Sequence, residues 1–504
     1  MINARHCLVQ HRAQVQGVKM KAHGRSLHEF TPLQPAEQVL LNCCSLGTIA
    51  KIGLDVPEDP TPTNTIRAGF LRFLSLGGDK AAPVHECGVR LVGAYIQGGL
   101  NLSSSVVPVS LSITYCHLQL KTLLTDAKFS HSLIFHGSRL NGMRAGRVQV
   151  EGFFSLNSVS SYGLVDLDEA RVKGQISFSS ANLDGIDATA LTAEGVVCGG
   201  DIHLCDGFVA NGNVSLGGAQ IKGQLNCASA TFTASEDWAL LADRIIVRGS
   251  VFLSDGFSAS GGVRFVGARV YGELRCSGGQ FEWPSGDAFR MDDAVISESV
   301  SLDRRFSAWG RVNLQNAQVG GDLVISNAKC IGTLDADRIN IKGTLILRGL
   351  EESLESVSFA GARSGSLDDD KQSWGRSLDI NGFVYGFINV HAEMSIEGRL
   401  EWLNKQSTPV SYEYGVKEFR PQPWRHLQSV LDEMGHAEEA RQVGIEFEKR
   451  LRAAGLIGQG PKRWNPLRRW FYKKLMTFLH VMYGFLTGYG YRPMLLLRSF
   501  VVSG

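Results

Sequence analysis

The chain has 504 residues, 44% of them hydrophobic, and a formal net charge of +2. It is long enough to bury a large core, its charge balance names no partner, and its 57 glycines suit a fold of coils and corners. Ten cysteines without a CxxC pair, and an N-terminus without an apolar h-region, point to reduced thiols in the cytoplasm rather than a disulfide framework or a secretory signal.

In chain order, residues 1–30 are polar and expected to be disordered. Residues 31–84 form a helical N-cap: PAEQVLLNCCSLG from Pro35 and NTIRAGFLRFLSLGGD from Asn64 have helical apolar spacing. Asn64 or Thr65 is placed to cap the second helix, and Gly77-Gly78 to end it. Such helices would cover the first coil of a stacked fold, whose open end otherwise exposes a strand edge and an apolar cross-section.

The stacking itself is written in a repeat. VDLDEARVKGQISF, VSLGGAQIKGQLNC, VRFVGARVYGELRC and VNLQNAQVGGDLVI begin at Val165, Val214, Val263 and Val312, a constant step of 49 residues. A fifth copy, VRLVGAYIQGGLNL, begins at Val89, ahead of a longer and less regular stretch. A second phrase lies between them, from AGRVQVEGFFSL at Ala145 to ADRINIKGTLIL at Ala336. Both alternate apolar with polar or small residues at period two, the signature of short strands. Two-residue hairpin turns are nearly absent, so each phrase is expected to pair with its own next copy. The fold class predicted is mainly β: a right-handed parallel β-helix (β-solenoid) over residues 85–395, with an N-terminal helical cap, a C-terminal helical hairpin and a membrane-proximal segment. A 49-residue repeat divides into two coils of about 24 residues, and stacking at about 4.8 Å makes a rod on the order of 60 Å long.

The columns carry physical meaning. Ala170, Ala219, Ala268 and Ala317 are small enough for a corner. Gly174, Gly223, Gly272 and Gly321 offer left-handed or bulged backbone. Ile176, Leu225, Leu274 and Leu323 form an apolar ladder. Cys227 and Cys276 share a column with Phe178 and Ile325, and Cys198 shares one with Val150, Val247 and Ile296, so these thiols are expected to be packed. Neither the adjacent Cys43 and Cys44 nor the Cys198/Cys205 pair has zinc-site spacing.

An acidic column, Glu194, Asp243 and Asp292 with Asp337 after it, suggests catalysis, since some β-helices cleave polysaccharides with clustered carboxylates. Repetition argues instead for corner-capping acids, because an active site needs one special constellation. Thirteen histidines, among them His131, His136 and His203, pair with no nucleophile in recognisable order, and no hydrolase, zinc-protease, P-loop or dinucleotide motif sits in its required context. No catalytic, cofactor-binding or metal-ligating residue is assigned.

Residues 349–410 lose the repeat, with LDINGFVYGFI from Leu378 read as a closing coil. Residues 396–459 read as a linker and a helical hairpin, WRHLQSVLDEMGHAEEARQVGIEFEKRLRAAG from Trp424, resembling one tetratricopeptide-like unit. Residues 460–504 form a basic, aromatic, apolar tail. Its candidate membrane-binding residues are Lys462, Arg463, Trp464, Arg468, Arg469, Trp470, Lys473 and Lys474, followed by an apolar stretch over 475–486 and a second run over 494–497. Cations and aromatics beside an apolar run suit an anionic bilayer interface. The apolar stretch is too short to cross a bilayer, which takes about 20 residues.

IRAGFLRFLSLGGD at 66–79, the VxLxGAxIxGxLxC repeats, RLEWLNKQ at 399–406, PQPW with VLDEMGHAEEAR at 421–441 and GYGYRP at 488–493 resemble a group of bacterial membrane-associated, pentapeptide-repeat-like β-helix proteins. Such relatives are often labelled oxidoreductases, and many continue past GYGYRP into transmembrane helices. The resemblance implies redox chemistry, for which no cofactor motif is found here, and either peripheral anchoring or a truncated form. The expected function is a non-enzymatic scaffold or binding protein on the cytoplasmic face of the bacterial inner membrane, held by anionic lipid, with a protein or polymer partner on its flat surface and no nucleic acid. The alternative is an enzyme, an oxidoreductase or a polysaccharide-active β-helix.

Overall fold

The computed structural model describes residues 26–406 and 419–495, the side chains of residues 186–188, 235, 236 and 331 excepted. The expectation of disorder over most of 1–30 and the end of the second apolar run therefore lie outside the described residues. Two compact units divide the chain, Met1–His203 with Phe208–Gly212 and Leu204–Gly207 with Asn213–Gly504. Each is a parallel β-solenoid.

In the first unit, Val89, Leu111, Leu133, Phe154, Ile176 and Ile202 are register partners in successive coils. The steps are 22, 22, 21, 22 and 26 residues. The stretch after Val89 is thus as regular as the rest, with four short strands per coil, for instance Gln149–Val150, Phe154–Ser155, Ser160–Tyr162 and Val165–Asp166. In the second unit the same column runs Leu225, Val251, Leu274, Val300, Leu323, Leu345, Leu367 and Ile388. Its first steps alternate 26 and 23, which resolves the 49-residue period into two unequal coils. The longer coils contain the eleven-residue strands Thr231–Leu241 and Gln280–Arg290, where the register jumps because residues after Thr233 and Glu282 bulge from the ladder. Coils also persist through 349–388, where the repeated phrase is lost, and Val384–Ile388 is the closing strand.

The corners have one geometry. The amides of Ala170, Ala219, Ala268 and Ala317 donate to the carbonyls of Leu167, Leu216, Phe265 and Leu314 at 3.0–3.2 Å. The residue before each alanine has left-handed φ: Glu169 56°, Gly218 66°, Gly267 64° and Asn316 56°. A turn with φ above zero at its third position needs this. The glycine column does something other than expected: Gly174, Gly272 and Gly321 are not left-handed. A Cβ on Gly174 would lie 2.8 Å from the Gly152 carbonyl oxygen, and on Gly272 2.4 Å from Ser250 Oγ. These glycines permit close approach of the neighbouring coil. Inside, Phe232, Phe257, Phe281 and Phe306 stack with ring centroids 5.4, 5.3 and 5.2 Å apart.

The N-terminal cap contains Pro35–Leu46 as expected, but the second helix is Ala68–Ser75, starting later than Asn64. Thr65–Arg67 is instead a strand paired in register with Tyr95–Gln97, which continues the sheet before the chain turns helical. The buried Glu37 carboxylate joins the pieces, accepting from Arg67 Nε at 2.8 Å, Arg67 Nη2 at 2.6 Å and the amides of Gln34 and Arg67.

At the other end, part of the expected linker is the helix Ile396–Asn404, which closes the last coils. Its Arg399, 1% exposed, makes a bidentate ion pair with Asp369 at 2.9 and 2.7 Å. Trp374 Nε1 donates to the same carboxylate at 2.7 Å. The hairpin Gln422–Glu433 and Ala437–Ala453 packs Leu427, Val430 and Leu431 with Ala440, Val443 and Phe447. It docks on the closing strand, where the Gln422 side chain bonds both the Gly382 amide and the Phe383 carbonyl.

Candidate membrane-binding surface

The basic, aromatic and apolar parts of the tail are largely one element, the 22-residue helix Pro466–Thr487. Asn465 caps it, its Oδ1 accepting from the Leu467 amide at 3.1 Å, Pro466 opens the first turn, and Gly488 at φ 59° ends it. Lys462 and Arg463 lie in the preceding turn, and Trp464 packs on Tyr472 with centroids 5.2 Å apart. Arg468 lies over the Trp464 ring at 4.3 Å and Lys474 over Trp470 at 5.9 Å. Seven of the eight expected residues are exposed, and Trp464 is half-buried.

The helix buries none of its residues fully. Leu467, Phe471, Leu475, Phe478, Met482 and Phe485 recur at steps of three and four and are all exposed, Phe478 at 61% and Phe485 at 78%. Spacing of that kind places them on one face. The opposite side contacts the hairpin and the turn after it: His480 Nε2 lies 3.2 Å from Glu448, and Met476 sits against Gly458. GYGYRP fastens this contact, a role its sequence did not reveal. Arg452 donates to Tyr489 Oη at 2.7 Å, Gln428 to Tyr491 Oη at 3.1 Å, and Arg492 pairs with Glu438 at 2.6 Å. The helix therefore packs on the hairpin through one face and presents an apolar face to solvent through the other.

The electrostatics are one-sided. After Glu448 the chain has no acidic residue. Arg468 and Arg469 lie in the first turn, where no acid is present. Cations there oppose the helix macrodipole, at about 0.3–1 kcal/mol each. Helix stability alone would not select them. Among the described residues no helix is long and apolar enough to cross a membrane.

The acidic column is built into corners. Asp243 accepts from the Val266 amide at 3.1 Å and pairs with Arg264 at 2.8 Å, Asp292 pairs with Arg290 at 2.5 Å, and Asp337 accepts from the Ala360 amide at 3.0 Å. In the coil of Glu194 the capping acid is Asp168, which accepts from the Glu194 amide at 2.9 Å. Corner capping thus accounts for Asp243 and Asp337, and an ion pair for Asp292. Cys198, Cys227 and Cys276 are buried as their columns implied. Burial pushes the Cys198 thiol up to about 11 and the other two higher still, so all three stay protonated. Among the described residues no group of three or more His, Cys, Asp or Glu could hold a metal ion. His136 approaches Tyr115 Oη at 3.2 Å, and His203 lies 3.8 Å from Asp201.

Sequence reasoning passed over three tryptophans on the second unit. Trp238, Trp283 and Trp309 lie on Thr231–Leu241, Gln280–Arg290 and Ser307–Asn313, all partly exposed. The repeat obscured them, because one period away the chain has Thr189 and Asp287, Ala234, and Ser260.

Comparison with family models, curated proteins and solved structures finds no match to this chain.

Proposed function

We propose that the protein is a peripheral membrane scaffold, a β-solenoid held by its C-terminal helix on the cytoplasmic face of a bacterial inner membrane. The observation that carries this reading is the exposed apolar face of Pro466–Thr487 beside uncompensated cations. Water solvates such a face poorly, and an anionic interface satisfies both halves of it. Each cation near the surface adds about 1 kcal/mol, and the aromatic side chains enter the boundary between headgroups and acyl chains. The helix, about 33 Å long at 1.5 Å per residue, would lie in the interface plane. The repeated coils supply a carrier surface, and the bacterial setting rests on the resemblance of the repeats and of GYGYRP.

Vesicle flotation tests the reading. Full-length protein is expected to float with anionic vesicles at low salt, less at high salt, and not with neutral vesicles. Protein lacking residues 460–504 is expected to stay at the bottom with its β-type circular dichroism intact. Equal behaviour of the two proteins under all conditions overturns it.

A further inference from the structure

A second feature, independent of the helix, is the tryptophan group on the solenoid, within one unit. Trp238 and Trp283 meet edge to face with centroids 4.9 Å apart, although a whole coil lies between their strands. Gly262 of that coil makes room: a Cβ there would stand 2.4 Å from Trp283 and 2.6 Å from Trp238. Both indoles sit where the long strands bulge from the ladder. Trp309, one coil further on and 50% exposed, borders an open depression of about 400 Å³ lined by Pro284, Asp287, Arg311, Thr333 and Glu355. Gly310 and Gly332, at φ 134° and 126°, leave its floor without side chains.

The polar groups around it are fixed in advance. The buried Asp287 carboxylate accepts from Arg311 and from Arg290 at 3.4 Å, and Arg290 also holds Asp292. Arg264, paired with Asp243, lies over the Trp238 ring at 5.3 Å. Acceptors and donors are thus presented in set orientations, with the charges of Asp287, Asp292 and Asp243 already matched. In a scaffold whose other columns repeat, these three indoles do not, and exposed indoles add little to the core.

We propose that this surface binds a neutral oligosaccharide strand, with pyranose rings against the indoles and hydroxyls on the Asp287–Arg311 pair. Trp offers a large, rigid apolar face, and a pyranose has an apolar C–H face rimmed by hydroxyls that both donate and accept. An anion would have to displace the paired aspartates. An extended peptide finds little sheet edge here, because Gln280–Glu282 and Phe289–Arg290 are paired on both sides and only the short bulge between them is not. Pre-oriented groups reduce the ordering cost of binding a flexible ligand.

The test uses the full chain and titrations with cellohexaose, chitohexaose and maltohexaose, read by tryptophan fluorescence and calorimetry, with a lysine hexapeptide as the cationic competitor. Saturable binding of at least one hexasaccharide is expected. Trp309→Ala should weaken it at least about tenfold, or about 1.4 kcal/mol, while Trp309→Phe retains part of it and circular dichroism is unchanged. No hexasaccharide binding, equal binding by Trp309→Ala, or Trp309-dependent binding of the peptide alone overturns the proposal. Vesicle binding is expected to be unaffected by either variant, so this site and the membrane helix stand or fall separately.

Discussion

Leu274 and Phe478 are both large apolar side chains in regular structure, yet the first is wholly buried and the second is 61% exposed. Leu274 lies in register between Val251 and Val300, so the neighbouring coils complete its surroundings. Phe478 lies on a helix whose other face is already occupied by the hairpin, so nothing in the described chain covers it. In the solenoid, apolar residues are explained by the fold. On the C-terminal helix they are not, and the proposed anionic interface would cover them.

That contrast gives graded expectations. Leu274→Asp puts an unpaired charge in the ladder at a cost of several kcal/mol, and loss of cooperative β-type unfolding in circular dichroism checks it. Arg399→Ala leaves Asp369 buried and uncompensated. A loss of about 3–5 kcal/mol in denaturant unfolding is expected. Next comes the hairpin's docking, through His426, whose Nε2 lies 2.9 Å from the Tyr385 amide. Burial holds the His426 pKa below its ordinary value. The unfolded chain then takes up the proton first as pH falls, so this stability is full above about pH 6.5 and declines below it. Thermal unfolding across that range should show the slope, and His426→Gln should flatten it. Asp243→Asn weakens a partly exposed ion pair by about 1 kcal/mol or less, which equilibrium unfolding would register as a small midpoint shift. Phe478→Ser, lastly, should change stability by no more than about 0.5 kcal/mol while reducing vesicle binding. A large loss of stability there would make Phe478 a packing residue and erase the contrast.

The solenoid was legible because stacking forces side chains of one column into contact, so Val165, Val214, Val263 and Val312 recur on time. The coils between Val89 and Val165, and those after residue 349, were less legible. An inward position there accepts Leu, Phe, Val or Ile alike, and periodicity survives without repeated words. Thr65–Arg67 read as helix because three residues are too few to show period two. The composition of the tail pointed to its surface, but only the fold could show which helix face the hairpin leaves open. The tryptophan site was hidden by distance along the chain: Trp238 and Trp283 come together only because the coils stack.

The most direct measurement is quenching of Trp470 by lipids brominated on their acyl chains, comparing the protein with Trp470→Phe. Trp470 lies beside the exposed apolar face, Trp464 is half-buried against Tyr472 and Arg468 and contributes equally to both proteins, and the six tryptophans before the tail provide a constant background. With the helix about 5–10 Å into the interface, brominated anionic vesicles should quench fluorescence at low salt, and most of that quenching should vanish in Trp470→Phe. Identical traces from the two proteins on vesicles they demonstrably bind would contradict the account, because the membrane contact would then lie elsewhere on the molecule.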